Sequence, residues 1–434
     1  MIIDDLPVSR SARVYAEGWQ SWSPTTWYER GTPAHRPAEE WQHLMRFRPG
    51  TPLPDEGVQG EGLLVVDPGD GAPARVYCTF DATSEVPSIR AEWRGERIVV
   101  RAAVPVEQWT TDGAPPEASH HPAHAHPALA RFGERFGTAT GARIGTIVPR
   151  VWCTWYRYFE EVTSADVEEN LRAIEESELP VDVVQIDVGW SLGTGEWTKP
   201  NPRFGSLVDA VAAIRDSGRR AGIWLAPFSV GSRSDVAQRH PDWLTGPAGH
   251  NWGDDLVGLD LTHPGVRAYL EAVFSRLRDL GVQYLKLDFL YSGAVPGARH
   301  HHVTPIEAYR SGLALIRDVM GEDAYVLGCG APILPSVGLV DAMRVSPDTF
   351  HEGGEDGSEG LRGRMSLEAR AWQDGRLWTN DPDCLVARPR FALRDEWADV
   401  VLAAPGVRGF SDRIAELDEH GMDLVRRLLK GTTA

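Results

Sequence analysis

The sequence predicts an α/β chain, a (β/α)8 barrel (TIM barrel) preceded by a small antiparallel β-sandwich-like domain. Up to about Ala142 its apolar residues fall in short alternating runs punctuated by Gly, Pro and Asp, as in Gly62–Asp67, Ala74–Phe80 and Arg97–Ala102. From Val148 the pattern changes to short apolar runs alternating with stretches of helical period. Eight such runs over roughly 285 residues match the size and rhythm of one barrel better than those of an open sheet. The expected division is residues 1–142 for the β domain with its linker and residues 143–434 for the barrel.

The eight strand candidates are Arg150–Trp155, Val181–Asp187, Arg220–Ala226, Gln283–Asp288, Ala324–Gly328, Asp341–Val345, Arg376–Thr379 and Val407–Phe410. Between them, Thr163 caps a helix with Val167, Leu171 and Ile174 on one face, and Asp166 closes a capping-box pair. Thr304 with Pro305 and Glu307 does the same for a helix through Tyr309, Leu313 and Ile316. Only one short helical turn fits between Gly328 and Asp341, because Pro335 interrupts it. A last helix, Met422 to Leu429, closes the barrel. The stretch Thr111 to Pro127, rich in Pro, Ala and His and without periodicity, reads as a connection. His120, His121, His124 and His126 within it lack a Cys or carboxylate complement, so they are a weak metal candidate.

Composition excludes several classes. Of the 434 residues 42% are hydrophobic and 24% charged, enough for a large core in an ordinary globular protein. A formal net charge of −18 repels phosphate backbones and acidic lipid surfaces, so nucleic acid is not an expected partner. The start, Met1–Pro7, has neither a basic nor an apolar leader segment, and no run approaches the roughly 20 apolar residues of a membrane span. A cytoplasmic location away from membranes is therefore expected. Cys78, Cys153, Cys329 and Cys384 are widely separated and read as reduced thiols. The 16 Trp residues both fill cores and offer flat faces for the C–H faces of sugars.

Catalytic groups of such barrels lie at the C-terminal ends of strands. The fourth run ends Lys286-Leu287-Asp288, which puts Lys286 and Asp288 on one face of the strand, pointing into the mouth. A lysine next to the carboxylate would keep it ionised and nucleophilic. The sixth run continues Arg344-Val345-Ser346-Pro347-Asp348, setting a second carboxylate at the same rim, where it could protonate a leaving oxygen. Asp187 and Trp190 follow the second run and Trp224 lies on the third, a sugar-binding inventory to which the seventh adds Trp378 and Asp381. Asp381 could orient Lys286 or Arg344, or simply cap a turn. Asp260, ahead of His263-Pro264, reads as a capping or loop residue rather than a sugar ligand.

These residues resemble the melibiase-type α-galactosidase family of retaining glycoside hydrolases, from Gly18-Trp19-Gln20-Ser21-Trp22-Ser23 to Ser411-Asp412. The landmarks in order are Trp152–Phe159, Ile186-Asp187, Trp224–Phe228, Asp260–Pro264, Lys286 with Asp288, Gly328-Cys329-Gly330, Arg344, Asp348 and Asn380–Asp383. The resemblance implies Asp288 as nucleophile and Asp348 as general acid/base, with Cys329 among the substrate-binding residues. It also implies a second aspartate after Asp187, to bind the axial 4-OH and the 6-OH of galactose, but Val188 stands there. A buried hydroxyl without its acceptor loses about 1–3 kcal/mol, enough to change the preferred sugar. Galactose remains the default, with a β-L-arabinopyranoside or an α-fucose-like sugar as the alternative. The chain is shorter than typical members, with an abbreviated β domain and no expected counterpart of their C-terminal antiparallel domain. Self-association stays open.

The mechanism so implied is double displacement on a terminal glycoside of a small oligosaccharide, with carboxyl groups roughly 5–6 Å apart. Lys286 and Arg344 would fix Asp288 and ring hydroxyls, Asp187 would hold an axial hydroxyl, and Trp190, Trp224 and Trp378 would wall the pocket. No metal or organic cofactor is required. Transfer of the sugar to another sugar, as in related transferases of the raffinose pathway, and non-catalytic sugar binding on the same scaffold are the rival readings.

Overall fold

The computed structural model describes residues 1–34, 37, 39–111, 126–145, 147–350 and 363–430. Eight parallel strands form one sheet in the spatial order seven, six, five, four, three, two, one, eight. They are Arg150–Cys153, Val183–Ile186, Arg220–Leu225, Val282–Leu287, Tyr325–Gly328, Ala342–Arg344, Thr379–Asp381 and Arg408–Phe410. Closure between the seventh and eighth rests on an N–H of Val407 donated to the Asn380 carbonyl (2.8 Å) and a bridge from Leu385 to Phe410. The α/β barrel expected from the run pattern is the observed fold.

The inward face of this barrel is layered at the strand period of two. Val151, Val183, Tyr284, Leu327, Ala342 and Val407 make a separate apolar cluster at the bottom. Two residues further along the same strands come Cys153, Gln185, Lys286, Cys329, Arg344 and Gly409. Another two residues on, Asp187 and Asp288 stand at the mouth. On most of these strands the sequence thus changes from apolar to polar at the height where the site begins.

Helices cover the outside. Thr163 caps Ser164–Glu176 in a capping box with Asp166, burying Val167, Leu171 and Ile174. Thr304 caps Pro305–Met320 in the same way, with Glu307 as its partner. The fifth helix is the single turn Ile333–Ser336, and the closing helix is Glu419–Lys430.

Ahead of the barrel, two antiparallel sheets face each other across Leu6, Val14, Val66, Ile89 and Val100. One has the order Ile2–Pro7, Arg97–Ala102, Ser88–Arg94, Val58–Glu61. The other runs Thr26–Glu29, Arg13–Ala16, Leu63–Asp67, Arg75–Cys78, Glu107–Thr110. The helix Pro127–Thr140 follows, N-capped by His126, whose Nδ1 accepts from the Ala128 N–H (3.2 Å). His120, His121 and His124 lie outside the described residues. No helix among the described residues is long and apolar enough to cross a membrane.

Two features depart from the sequence expectation. The seventh strand is Thr379–Asp381 rather than Arg376–Thr379, because Arg376 and Leu377 donate their N–H groups back to the Gln373 carbonyl and close a turn there. Between the third and fourth strands a three-stranded antiparallel sheet is inserted, Ser229–Gly231, Leu244–Asn251 and Asp254–Leu259. Its hairpin turns at Trp252-Gly253, both with positive φ (48° and 66°), the geometry of a primed two-residue turn. Tryptophan rarely takes such a turn position, so the pair gave no hairpin signal.

Candidate active site

Asp288 follows the fourth strand, and its backbone N–H donates to Leu225 O (2.7 Å) on the third. Its Oδ2 accepts the Trp224 indole N–H (3.0 Å) and its Oδ1 accepts the Phe289 N–H (2.8 Å). Phe289 sits at φ 49°, a left-handed conformation a bulky residue seldom adopts, so the chain turns abruptly just past the carboxylate. Aromatic rings surround the turn: Trp252 lies 5.7 Å from Trp224 and 5.5 Å from Phe289. Trp22, reaching over from the β domain, lies 5.0 Å edge-on to Phe289. Gly330 permits that approach, since a Cβ there would sit 3.0 Å from the Trp22 ring and its φ is +51°.

Lys286 does not pair with Asp288. Its ammonium binds Asp187 Oδ2 (3.0 Å), which also accepts from Gln185 Nε2 (2.7 Å) and the Cys153 thiol (3.5 Å). Burial opposes the charge on Lys286, but Asp187 and, further off, Asp288 hold its pKa well above the ordinary value. Asp187, 1% exposed, keeps its Oδ1 on the Val188 N–H (3.0 Å). Cys329 is wholly buried, and burial together with Asp288 pushes its thiol far up, so it lines the site as a neutral group.

Asp348 stands across the mouth, its carboxyl 34% exposed and its Oδ1 accepting from Arg344 Nη2 (2.8 Å). Burial pushes its pKa up to about 6, with Arg344 and Lys286 pulling down and Asp383 and Asp288 pushing up. The same Nη2 lies 2.5 Å from Asp383 Oδ2, while Arg344 Nε is buried with no acceptor among the described residues. A buried guanidinium N–H left open beside two carboxylates is a donor available to a ligand hydroxyl.

Other residues named from the sequence fall elsewhere. Trp378 projects with Asn380 from the outward face of the seventh strand and donates its indole N–H to Asn380 Oδ1 (3.1 Å). It is fully buried and points away from the barrel interior, because Asp381, paired in register with Arg344, takes the inward face. Trp190 is a prop: its indole N–H goes to the Trp224 carbonyl (2.9 Å). Asp381 accepts the Asp383 N–H (3.0 Å), the turn-forming role, and burial raises its pKa against the pull of Arg344. Asp260 ties Thr262 and His300 N–H groups together, and His263 caps the helix instead. Three residues at the site have no role assigned from the sequence: Trp252, because its hairpin was not foreseen; Tyr156, because the first strand ends at Cys153 and a short helix Trp155–Tyr158 follows; and Asp383. The four cysteines are free thiols.

Two carboxyl groups, Asp288 and Asp348, thus share the aromatic-walled mouth of a (β/α)8 barrel, an arrangement of the kind glycoside hydrolases use. Residues 154–318 match the Melibiase family model. The α-galactosidase TtGalA from Thermus thermophilus, solved with p-nitrophenyl α-D-galactopyranoside, is 28% identical, with a TM-score of 0.79 over 98% of this chain and 87% of that one. AgaA, a GH36 α-galactosidase from Geobacillus stearothermophilus, shares the fold at 14% identity, with a TM-score of 0.64 over 98% of this chain and 61% of that one. A bifunctional α-galactosidase/sucrose kinase from Mediterraneibacter gnavus is 30% identical over 79 residues, 16% of this chain and 8% of that protein. Matches to such curated relatives cover less than a quarter of their length. The family model thus covers the first part of the barrel, and the likeness to the Thermus thermophilus α-galactosidase runs over nearly the whole chain.

Proposed function

We propose that this protein is a retaining, exo-acting α-galactosidase-like hydrolase in which Asp288 is the nucleophile and Asp348 the general acid/base. The observation that carries the reading is the contrast between the two carboxyls. Asp288 accepts two N–H donors, from Trp224 and Phe289, which fix its carboxyl group at the mouth. Asp348 is pushed up to about 6 and can hold a proton near neutrality. The Asp288 carboxylate attacks the anomeric carbon as the glycosidic C–O bond breaks, and the Asp348 proton goes to the leaving oxygen. Water then gives a proton to Asp348 and its oxygen to the anomeric carbon, releasing Asp288. Arg344 Nε, open and buried, is the donor for a sugar hydroxyl, and Trp224 and Trp252 face the ring. The small-molecule complexes of the Thermus thermophilus relative support a galactoside or oligosaccharide as the ligand class.

The half-buried Val188 qualifies the choice of sugar. Asp187 beside it is committed to Lys286, Gln185 and its own loop, so little acceptor capacity remains for a 6-hydroxyl. The test is hydrolysis of aryl α-D-galactoside, β-L-arabinopyranoside, α-D-fucoside and α-N-acetylgalactosaminide, with NMR reading the anomer first released. Retention on one or more of these is expected, and inversion or silence across the panel would overturn the reading. Val188→Asp should shift kcat/KM toward the 6-hydroxylated sugar by about tenfold relative to the arabinopyranoside. No change in that ratio would remove Val188 from the specificity argument.

A further inference from the structure

The geometry points to Asp383 as a positioning residue for the acid/base, one that sets both the place and the protonation of Asp348 without touching the sugar. This deepens the function proposed above and rests on it.

Asp383 follows the seventh strand and is 2% exposed. Its Oδ2 is a meeting point: Arg344 Nη2 at 2.5 Å, the Thr349 N–H at 2.7 Å, the Thr349 hydroxyl at 2.8 Å, and the Tyr156 hydroxyl in a short hydrogen bond. Its Oδ1 takes the Cys384 N–H (2.7 Å). Thr349 is the residue directly after Asp348, so two of these bonds hold the backbone carrying the acid/base. Arg344 is the cation bound to Asp348 itself, so a third bond divides that charge between two carboxylates. The Tyr156 oxygen in turn accepts from Arg344 Nη2 (3.3 Å) and from the Thr349 N–H (3.0 Å), tying it into the same cluster.

The backbone bears this out. Asp383 sits at φ 82°, in the left-handed region where a residue with a side chain is strained. Such a conformation costs of order 1–3 kcal/mol and persists only where surrounding contacts over-determine it. Here the five acceptor contacts of its carboxylate do so. A plain turn at this point would take glycine without strain, so the side chain is what the position needs.

The charge logic follows. Asp348 faces Arg344 on its own segment, Asp383 from the seventh loop, Lys286 and Asp288 from the fourth strand, Cys329 from the fifth and Tyr156 from the first. Arg344 and Lys286 favour its anion, whereas Asp383 and Asp288 favour its proton. Removing the Asp383 charge frees Arg344 to act on Asp348 alone, and the acid ionises at lower pH. Activity requires protonated Asp348 in the first step, so the fall in rate on the alkaline side should move to lower pH.

Asp383→Asn keeps the shape and most acceptor contacts while deleting the charge. Its kcat/KM should lose activity on the alkaline side about one pH unit earlier than the wild type, which should fall near pH 6. The loss at neutral pH should be about tenfold or more for an alkyl α-galactoside, whose leaving group needs the acid, and under about threefold for the dinitrophenyl glycoside, whose leaving group does not. An unmoved limb with equal losses on both substrates would overturn the inference and leave a structural role only. Should Asp383→Asn not fold, Thr349→Val tests the positioning arm: a loss confined to the alkyl substrate with the limb in place supports it, and equal or no loss overturns it. Asp348→Ala separates the two proposals. If it spares kcat/KM for the dinitrophenyl glycoside and abolishes that for the alkyl one, the acid/base assignment stands whatever Asp383 shows; if it does not, that assignment fails first.

Discussion

Asp288→Gly is expected to lower kcat on an activated aryl glycoside by on the order of 10⁴-fold or more, because it deletes the carboxylate proposed to form the covalent intermediate. Azide added to this variant should restore turnover and release a β-configured glycosyl azide, since the small anion fills the space of the lost carboxylate on the same face of the ring. The fold should survive: Asp288 follows the strand, its backbone N–H stays on Leu225 O, and among the described residues its side chain accepts the two N–H groups of Trp224 and Phe289. One orphaned indole N–H costs roughly 1–3 kcal/mol, small for a barrel of this size. Turnover unchanged by the substitution would remove Asp288 from the mechanism. Loss without azide rescue, in a protein of unchanged melting point, would mean that Asp288 binds rather than attacks.

The barrel was legible because it is written in strand periodicity. On the second and fourth strands the inward face reads apolar, then polar, then acidic at steps of two, as in Val183, Gln185 and Asp187 and in Tyr284, Lys286 and Asp288. Capping boxes at Thr163 and Thr304 marked two helix starts to the residue. What escaped were contacts between segments distant in sequence. Two residues apart on one strand suggested that Lys286 serves Asp288, but the lysine reaches across the barrel to Asp187, from a strand ninety-nine residues earlier. Trp378 read as a pocket wall because face assignment depends on strand register, and a turn at residues 373–378 moved the strand start. Asp383 stood in the Asn380–Asp383 landmark but its role carried no signal, since a strained φ and a shared arginine exist only once the chain is folded. The inserted sheet that brings Trp252 to the mouth was hidden by a hairpin turn of unusual composition.

The largest effect on stability is expected from Arg370→Met. Arg370 and Glu17 are both 0% exposed and 2.8 Å apart, joining the barrel to the β domain. The guanidinium also donates to Ser21 O (2.7 Å), Val345 O (3.0 Å) and Gln20 O (3.1 Å). Glu17 keeps Tyr15, Thr25 and Gln373 as donors, but none of them carries a positive charge. Breaking a buried pair from one side costs about 3–5 kcal/mol, mostly from the stranded charge and the unmet carbonyls. Urea unfolding followed by tryptophan emission should show that loss, and Glu17→Gln added to Arg370→Met should recover part of it. Lysine should rescue poorly, because a single ammonium cannot meet the same fork of acceptors. Activity should fall with stability, since the carbonyls Arg370 binds belong to the Gln20–Trp22 segment lying on Phe289 and to Val345, three residues before Asp348. A loss below about 1 kcal/mol would show that the two domains meet through apolar packing such as Trp372 against Tyr15, 6.5 Å between ring centres, rather than through this pair.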